Sequence, residues 1–422
     1  MARPYPPRLL LLLPSTTYRT AAFVEASRQL GVELTVASEL PSTFEQEQPH
    51  GLLTLDFADP HHAAEQAGAF ALQHPFAGVV GVDDDTAVVA AAIAARLRLR
   101  GNSMAAALAA RDKHRQREML AGAFVPVPSF ALYPSDADPE TLSREIAYPC
   151  VLKPLRLSAS RGVIRADNPS EFVTAFRRLG AILAQPDVAA CGEPARRLLV
   201  EQFIPGPEVA LEGLLVGGRL QVLALFDKPD PLDGPFFEET IYVTPSRLPG
   251  AVQQAIAATA QAAATALGLV EGPVHAELRH NDRGPWLVEL AARPIGGRCS
   301  AALRFNSGEG GNGQGEVSLE EVVVRHALAM DLPAFQREDR ASGVMMIPVP
   351  GAGVLRAVRG VEQARSVPLV EAVVITAHRG QQLVPLPEGA RYPGFIFARG
   401  DGPRQVEAAL REAHRRLEFV LE

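Results

Sequence analysis

Residues 272–297, with the sequence GPVHAELRHNDRGPWLVELAARPIGG, predict two β-strands joined by a tight turn. The turn signal is Asn281-Asp282-Arg283-Gly284, and we expect Arg283 to lie at the middle of the loop. Side chains alternate between the two faces of a strand, so one face of this hairpin is apolar and is expected to pack on a core. That face would carry Ala276, Leu278, Trp286, Val288 and Leu290.

The opposite face of the hairpin is charged, and this arrangement places Glu277 directly across from Glu289. Side chains that face each other across strands lie about 4.5–5.5 Å apart at Cβ, where like charges are destabilising unless something neutralises them. A divalent cation would do so, since Mg²⁺ favours a few carboxylate oxygens completed by phosphates and waters. The alternative is a solvated face on which glutamates and arginines pair. His275, on the same face, would either assist near the metal or fill the cavity wall.

Length and composition indicate a large globular protein of several packed units. The chain has 422 residues, of which 47% are hydrophobic and 21% charged, and its net charge of -7 argues against a nucleic-acid-binding surface. Cys150, Cys191 and Cys299 have no metal-ligand spacing, and three thiols cannot all pair, so a reducing compartment is expected. The apolar run 9–13 ends at Pro14 and is too short to span a membrane. We therefore expect a cytoplasmic protein that does not bind membranes.

The first 105 residues alternate between apolar runs and helical patterns. This order predicts a doubly wound α/β domain with a parallel sheet. No Gly-x-Gly-x-x-Gly follows the first strand, which argues against a dinucleotide site. Residues 15–17 and 83–85 would lie at carboxyl ends of strands, where they could either bind a ligand or form caps and turns. The predicted strands are 8–13, 32–37, 52–56 and 79–82.

The middle of the chain contains features that suit a phosphate ligand. An apolar strand over 149–153 ends at Lys153, and the following loop, 155–162, carries two serines and an Arg-Gly pair. Such a loop offers backbone N–H groups and hydroxyls to phosphates. Residues 228–247 form a long proline-containing loop of lid-like length. A second glycine-rich loop is predicted over 307–315. The last part of the chain, from 331, is predicted to be a small α+β domain with no obvious chemistry.

Taken in order, these features resemble the ATP-grasp superfamily of carboxylate–amine ligases, and among them the L-amino-acid ligase type. The order is a lysine on a helix, Lys113; a lysine at a strand end, Lys153; a serine- and glycine-bearing loop; Glu-Gln-Phe-Ile and Gly-Pro-Glu; then the two glutamates with Ala-Arg-Pro-x-Gly-Gly. The likeness covers most of the chain and implies three parts. These are an amino-terminal doubly wound α/β domain (1–105), an ATP-grasp α+β core (106–330) with a mobile lid subdomain (about 148–203), and a small carboxy-terminal α+β domain (331–422).

The resemblance also implies roles for individual residues in binding ATP. Lys113 and Lys153 would hold the phosphates, although a lysine on a charged helix is ordinarily solvated. The backbone of Gln202 and Ile204 would read the adenine edge, and Glu208 would accept hydrogen bonds from the ribose hydroxyls. The phosphate-covering loop would supply Ser158, Ser160 and Gly162, and the wall beside the adenine would consist of Glu201, Gln202, Phe203 and Ile204.

The activity implied by the resemblance is ATP-dependent formation of an amide or peptide bond through an acyl phosphate, with release of ADP and phosphate. Glu277 and Glu289 would bind Mg²⁺, with Mn²⁺ as an alternative ion, and Arg293 would hold the transferring phosphoryl group. Glu239 or Glu212 would bind the incoming ammonium group or take its proton. Family members often place an asparagine two residues after the second glutamate, whereas this chain has Ala291, which puts a second metal ion in question.

The expected substrates are a small-molecule carboxylate, with an amino acid as acyl donor, and an amine. Specificity is expected to lie in residues 228–247, 298–315 and 16–19. The sequence does not give the oligomeric state; a homodimer is one expectation, because dimers are common among similar proteins. The alternatives are a biotin-carboxylase-like or purine-pathway enzyme of the same superfamily, and a nucleotide-binding protein without turnover.

Overall fold

The computed structural model describes residues 6–15, 17, 20–45, 47–306, 316–332 and 335–422. Within these ranges, the strands form a four-stranded amino-terminal sheet, a second four-stranded sheet, an eight-stranded sheet and two small three-stranded sheets. The mixed α/β fold class predicted from the sequence is confirmed. No helix in the described part of the chain combines the length and the apolar composition needed to cross a bilayer.

The amino-terminal sheet is parallel, as its apolar runs predict. Its elements are β1 (Arg8–Leu12), α1 (Thr20–Gln29), β2 (Glu33–Ser38), β3 (Leu52–Thr54), α2 (Pro60–Ala71), β4 (Gly78–Gly81) and α3 (Asp84–Leu97). The strand order is β3-β2-β1-β4, so β1 lies inside the sheet. Leu10 and Leu12 pack into one core and Leu9 and Leu11 into another. Burial on both faces explains why this strand is a continuous leucine run.

Three of the four strands in the second sheet lie in the segment predicted as a lid subdomain (about 148–203), and the fourth strand precedes that segment. After α4 (Met104–Arg111) and α5 (Lys113–Gly122), its elements are β5 (Phe130–Pro134), α6 (Pro139–Leu142), β6 (Cys150–Pro154), β7 (Ile164–Ala166), α7 (Pro169–Leu183), α8 (Pro186–Ala189) and β8 (Arg197–Gln202). The strand order is β5-β8-β6-β7. Helix α7 begins after Asn168, whose side chain accepts a hydrogen bond from the Glu171 N–H (3.1 Å). Its apolar side, with Phe172 and Phe176, packs on the sheet.

The eight-stranded antiparallel sheet carries the hairpin with the facing glutamates at one edge. Its strands are β9 (Glu208–Val216), β10 (Arg219–Lys228), β11 (Ile241–Thr244), β12 (Gly272–Asn281), β13 (Gly284–Ala291), β17 (Ala341–Met346), β19 (Val370–Ile375) and β21 (Gly394–Gly400). The helices in this part of the chain are α9 (Gly250–Ala266), α10 (Leu319–Ala327), α11 (Val361–Arg365) and α12 (Pro403–Arg415). The two small sheets consist of β14 (Phe305–Asn306), β15 (Glu316–Val317) and β16 (Gln336–Arg337), and of β18 (Gly353–Arg359), β20 (Gln382–Leu383) and β22 (Glu418–Leu421). The strand order is β13-β12-β9-β10-β11-β17-β21-β19. This sheet continues across residue 331, where the sequence suggested a boundary, and the three predicted domain ranges stay predictions.

One predicted loop is partly a strand. Residues 241–244, inside the predicted loop 228–247, form β11 and pair with β17. Tyr242 packs into one core and Val243 into another. Because β11 is buried on both faces, its sequence does not have to alternate between apolar and polar residues. The predicted glycine-rich loop 307–315 lies outside the described residues, as do Thr16, Tyr18 and Arg19.

Candidate functional site

The hairpin brings Glu277 and Glu289 together as direct cross-strand partners, as predicted. The route differs from the prediction, because the turn has two residues and Asn281 pairs with Gly284, so Arg283 does not lie at its centre. The register then shifts by one residue between Glu277 and the next position of β12. Val288 is the extra residue of a β-bulge, and this bulge brings Glu277 and Glu289 into register as direct cross-strand partners.

This bulge also changes which side chains of β13 reach the core. Leu278 lies opposite Leu287, which is fully buried, whereas Trp286 and Val288 are only partly buried. The prediction that Trp286 and Val288 face the core together with Leu290 was therefore wrong at two positions. The physical reason is the shortened turn, since a shift of one residue moves every following side chain to the other face.

Both glutamates line a cavity of about 740 Å³, where each has a lysine beside it. The Lys113 ammonium lies 3.0 Å from Glu289, and the Lys228 ammonium lies 3.1 Å from Glu277. Lys113 is 8% exposed and directed into the cavity, so the ordinary expectation of a solvated helix lysine does not apply. In this form of the protein, lysines from two other elements supply the neutralising charge that the facing carboxylates require.

Lys228 forms the centre of a buried cluster that the sequence analysis missed. Its ammonium lies 2.7 Å from Glu208 and 2.5 Å from Glu239, in addition to its contact with Glu277. Carboxylate oxygens of these three glutamates lie within 4.8 Å of one another. Although burial alone would lower it, the surrounding carboxylates hold the pKa of Lys228 well above its usual value. Its pairing with Glu208 across β9 and β10 is the signal that would have revealed it.

Glu239 is the member of this cluster with the most unusual protonation. Burial raises the pKa of Glu239 to about 7 against the opposing effect of Lys228, and the negative charge of Glu277 adds to the rise. The Tyr242 hydroxyl donates to the Glu239 carboxylate at 2.7 Å. Burial also disfavours ionisation of Glu277, but Lys228 and His275 outweigh it and hold the pKa of that carboxyl well below its usual range. Burial and the nearby Glu277 charge thus favour the protonated form of Glu239, whereas Lys228 and His275 favour the ionised form of Glu277.

A second group of cations lies around Glu201. The Glu201 carboxylate lies 2.6 Å from the Lys153 ammonium and 2.6 Å from the Arg117 guanidinium. All three residues line the cavity, and their side chains are almost fully buried. Burial lowers the pKa of Lys153, although Glu201 opposes that effect. Glu201, predicted beside the adenine edge, thus fixes two cations through its carboxylate, and Arg117 was not predicted at all.

The other predicted nucleotide-binding residues divide into two groups. Gln202, Phe203 and Ile204 line the cavity directly after β8. The Glu208 carboxylate also reaches the cavity, but it is paired with Arg279 at 2.9 Å as well as with Lys228. Any contact between Glu208 and a ribose would therefore be made by a carboxylate that two cations already hold.

The serine loop closes one side of the cavity. Ser158 and Ser160 line it, and Ser160 has a left-handed backbone with φ 55°. Gly162, predicted in the same role, does not line the cavity: its N–H donates to the Pro387 carbonyl (2.8 Å). A Cβ on Gly162 would lie 2.9 Å from Leu179, so glycine serves close packing at this position.

Arg293 lies where the amino-terminal domain meets the hairpin. Its guanidinium is 3.0 Å from the carboxylate of Asp84 in the first turn of α3, and both residues line the cavity. Burial would raise the pKa of Asp84, but Arg293 and Lys113 outweigh burial and lower it. The neighbouring Asp83 caps α3 through Thr86, and Asp85 pairs with Arg111. Asp83 therefore forms a helix cap and also lines the cavity, and Asp84 lies at the cavity beside Arg293.

The structure separates the two glutamates proposed for the ammonium group. Glu239 lines the cavity, whereas Glu212 is fully buried behind it and accepts a hydrogen bond from the Ile295 N–H (3.1 Å). His275 lies between Glu212 (3.7 Å) and Glu277 (3.4 Å) and lines the cavity. The suggestion that Glu212 contacts a substrate is therefore wrong, because its carboxylate is occupied beneath the wall.

The last 90 residues contribute to the same cavity, contrary to the expectation that they carry no chemistry. Thr376, His378 and Arg391 lie at its solvent-exposed rim, and Met346 and Phe395 form part of its buried wall. The loop after β20 also meets the lid segment, where Arg178 pairs with Glu388 at 2.7 Å. These contacts are formed between residues far apart in the sequence, which is why no local pattern predicted them.

Comparisons with known proteins agree with this architecture. Three family models match: an ATP-grasp N-terminal domain over residues 24–101, an ATP-grasp domain over 146–302, and an L-amino acid ligase C-terminal domain over 345–422. The crystal structure of an L-amino acid ligase from Bacillus licheniformis is similar with a TM-score of 0.81 and 26% identity, and the match covers 99% of both chains.

Two curated relatives extend the comparison. An uncharacterised protein of Sinorhizobium fredii, y4rH, is 22% identical over 397 residues, which is 93% of this chain and 78% of that protein. The alanine–anticapsin ligase of Bacillus subtilis is 28% identical over 214 residues, or 48% of this chain. The alignment with that ligase covers 45% of its length.

Proposed function

Because this chain belongs to the ATP-grasp superfamily, as an ATP-dependent carbon–nitrogen ligase of the L-amino-acid ligase type, we propose that it joins the carboxylate of one amino acid to the amine of a second. The reaction would run through an acyl phosphate and release ADP and phosphate. The observation that carries the proposal is the facing pair Glu277 and Glu289 in a cavity that also holds Lys113, Lys153 and Arg293.

The chemistry requires activation, since a carboxylate in water does not react with an amine. Phosphoryl transfer from ATP supplies an activated acyl group, and catalysis of that step rests mainly on positioning and charge neutralisation. We assign the phosphates to Lys113 and Lys153, with Ser158 and Ser160 covering them. Arg293 would hold the transferring phosphoryl group. A closed cavity then protects the acyl phosphate from hydrolysis until the amine attacks.

The residues present fit a magnesium ion at the hairpin. Glu277 and Glu289 offer hard carboxylate oxygens from opposite strands, next to lysines suited to a triphosphate. When bound, Mg²⁺ would neutralise phosphate charge there. Ala291 lines the cavity with a methyl group and offers no ligand atom, so this position gives no support to a second ion. Binding of Mn²⁺ in place of Mg²⁺ stays a prediction from the sequence.

We assign the substrate ammonium group to Glu239. Its carboxylate lines the cavity, and burial raises its pKa to about 7, so a cation bound beside it would favour loss of its proton. Gln202, Phe203 and Ile204 would surround the base, and Glu208 would meet the ribose.

The first testable prediction concerns Arg293, whose guanidinium pairs with the carboxylate of Asp84 in the first turn of α3. Replacing Asp84 by alanine is expected to lower kcat about 10-fold to 100-fold with little change in ATP affinity, because a charge-assisted hydrogen bond of about 1.5–3 kcal/mol no longer orients the guanidinium. Asp85→Ala is the matched control, since its carboxylate pairs with Arg111 instead. Steady-state phosphate release checks both variants, and equal kcat values for the two would contradict the role.

The experiment that tests the function is phosphate release from MgATP across a matrix of amino-acid pairs, with mass detection of products. The proposal expects release that depends on two amino acids together and a product lighter than their sum by one water. Release that depends on bicarbonate or a ribonucleotide would instead favour the carboxylase or purine-pathway alternative. ATP binding without phosphate release under every condition would favour a nucleotide-binding protein without turnover.

Two further properties complete the proposal. We infer that the enzyme acts on small molecules in the cytoplasm, which the free thiols of Cys150 and Cys191 support. A homodimer stays a prediction, and light scattering on the purified protein measures it directly.

A further inference from the structure

We propose that residues 384–392, between β20 and β21, form a strap that holds the lid segment (about 148–203) closed over the cavity while the bound ligands react. This inference rests on the proposed ligase function and adds two positioning residues, Arg178 on the lid segment and Glu388 on the strap. Neither side chain lines the cavity, so both would act through the position of the lid segment and not by touching a substrate.

The first contact of the strap is a two-point ion pair with helix α7. The Arg178 guanidinium donates from Nε to one carboxylate oxygen of Glu388 at 2.7 Å and from Nη2 to the other at 2.9 Å. Parallel hydrogen bonds of this kind fix the relative orientation of the two groups as well as their distance. The guanidinium also lies over the ring of Phe236, 4.9 Å from its centre, which adds a cation–π contact at the same point.

The second contact joins the strap to the phosphate-covering loop. The Gly162 N–H donates to the carbonyl of Pro387, the residue before Glu388, at 2.8 Å. Ser158 and Ser160 of the same loop line the cavity, so the strap holds the end of the loop that would cover the triphosphate. Two neighbouring residues of the strap therefore contact both the helix and the loop of the lid segment.

The other end of the strap reaches the cavity. Between its two ends the chain turns at Gly389, where a Cβ would clash with the carbonyl oxygen of Val384, so glycine keeps the turn compact. A substrate held against the cavity end would stabilise the same strap position that binds the lid segment, since a ligand favours the state with which it makes more contacts. The strap residues that line the cavity are Ala390, Arg391 and Tyr392.

Closure of the lid segment would decide the fate of the acyl phosphate. When the amine attacks the carbonyl carbon, the amide bond forms, phosphate leaves and the amine loses a proton. When water reaches the acyl phosphate first, the products are the original carboxylate and phosphate, so ATP is consumed and no dipeptide forms. Closed active sites exclude that water. A weakened strap is therefore expected to raise the amount of phosphate released per dipeptide.

The experiment measures phosphate and dipeptide together in wild-type protein and in charge-reversal variants. Arg178→Glu and Glu388→Arg each replace attraction by repulsion, and each is expected to raise the ratio of phosphate to dipeptide at least about 5-fold. The double variant with both reversals forms an ion pair of opposite polarity, and it should return the ratio to within about 2-fold of wild type. General damage to the packing of α7 would not be repaired by a second reversal on the strap.

Arg177→Glu is the matched control. Arg177 is the preceding residue of α7, and its guanidinium pairs with Glu140 of α6, 3.1 Å away, instead of with the strap. The same charge reversal at this position should leave the ratio within about 2-fold of wild type. Equal ratios in Arg177→Glu and Arg178→Glu, or a double variant whose ratio is as high as that of either single reversal, would overturn the strap.

A binding measurement separates failure of the strap from failure of the proposed function. Dissociation of a fluorescent, non-hydrolysable ATP analogue in the presence of magnesium requires no turnover. The strap predicts that Arg178→Glu raises the dissociation rate at least about 5-fold and that the double variant restores it. An unchanged rate in Arg178→Glu would overturn the strap and leave the ligase activity standing. Absence of phosphate release with every amino-acid pair would reject the ligase activity, whereas the dissociation rate would still decide for or against the strap.

Discussion

Glu289→Ala is expected to lower ATP-dependent phosphate release at least about 1000-fold while leaving the fold intact. The carboxylate is one of only two that face each other across the described hairpin, and its loss removes the charge that would hold a metal ion against the triphosphate. Its side chain is 29% exposed, so truncation leaves no buried void. The melting temperature should stay within about 3 °C of wild type.

Two further variants make this result interpretable. Glu289→Gln keeps the shape and an acceptor for Lys113 but removes the charge, and it should be almost as inactive as the alanine variant. Glu412→Ala removes a carboxylate of similar exposure (32%) on α12, where it pairs with Arg415 and Arg416, and it should keep full activity. Full activity of Glu289→Ala would refute the metal assignment.

The second large effect concerns stability. Lys228→Met leaves Glu208, Glu239 and Glu277 close together without their shared ammonium, and one uncompensated buried charge costs about 3–5 kcal/mol. We expect the melting temperature to fall by about 10 °C. The double variant Lys228→Met, Glu239→Gln removes one of the stranded charges and should recover at least half of the loss.

The pH dependence of this loss has a defined sign. Without Lys228, the burial and the Glu277 charge that already raise the folded-state pKa of Glu239 lose their main opposition. A carboxyl of this kind contributes stability below its unfolded-state pKa and loses that contribution as the pH rises through the folded-state value. The variant should therefore be closer to wild type at pH 5 than at pH 8 in thermal melts. A variant that melts within about 2 °C of wild type at pH 8 would show that the ammonium does not stabilise the cluster.

The parts of the site that the sequence predicted are those with local causes. The leucine run of β1 follows from burial on two faces. The alternation in β12 follows from a core on one face, which buries Ala276 and Leu278, and the cavity on the other, and the two strands are five and ten residues long. The facing glutamates were predicted from a loop centred on Arg283, which is one residue longer than the two-residue turn of the structure. The bulge at Val288 compensated for that error, so a correct contact came from an incorrect register.

The parts that were missed depend on contacts between distant segments. Lys228 meets Glu277, and Arg293 meets Asp84 of helix α3, although neither pair shares a local pattern. Glu212 is fully buried beneath the cavity wall, whereas Glu239 reaches the cavity. Periodicity predicts which face of a strand is buried, but it does not predict which element covers that face.

A crystal structure with magnesium and a non-hydrolysable ATP analogue tests the central claim most directly. The account predicts the triphosphate between Lys113 and Lys153, and a metal ion bound by carboxylate oxygens of both Glu277 and Glu289. A triphosphate bound elsewhere in the molecule, or two carboxyl groups turned away from each other with no ion between them, would contradict it.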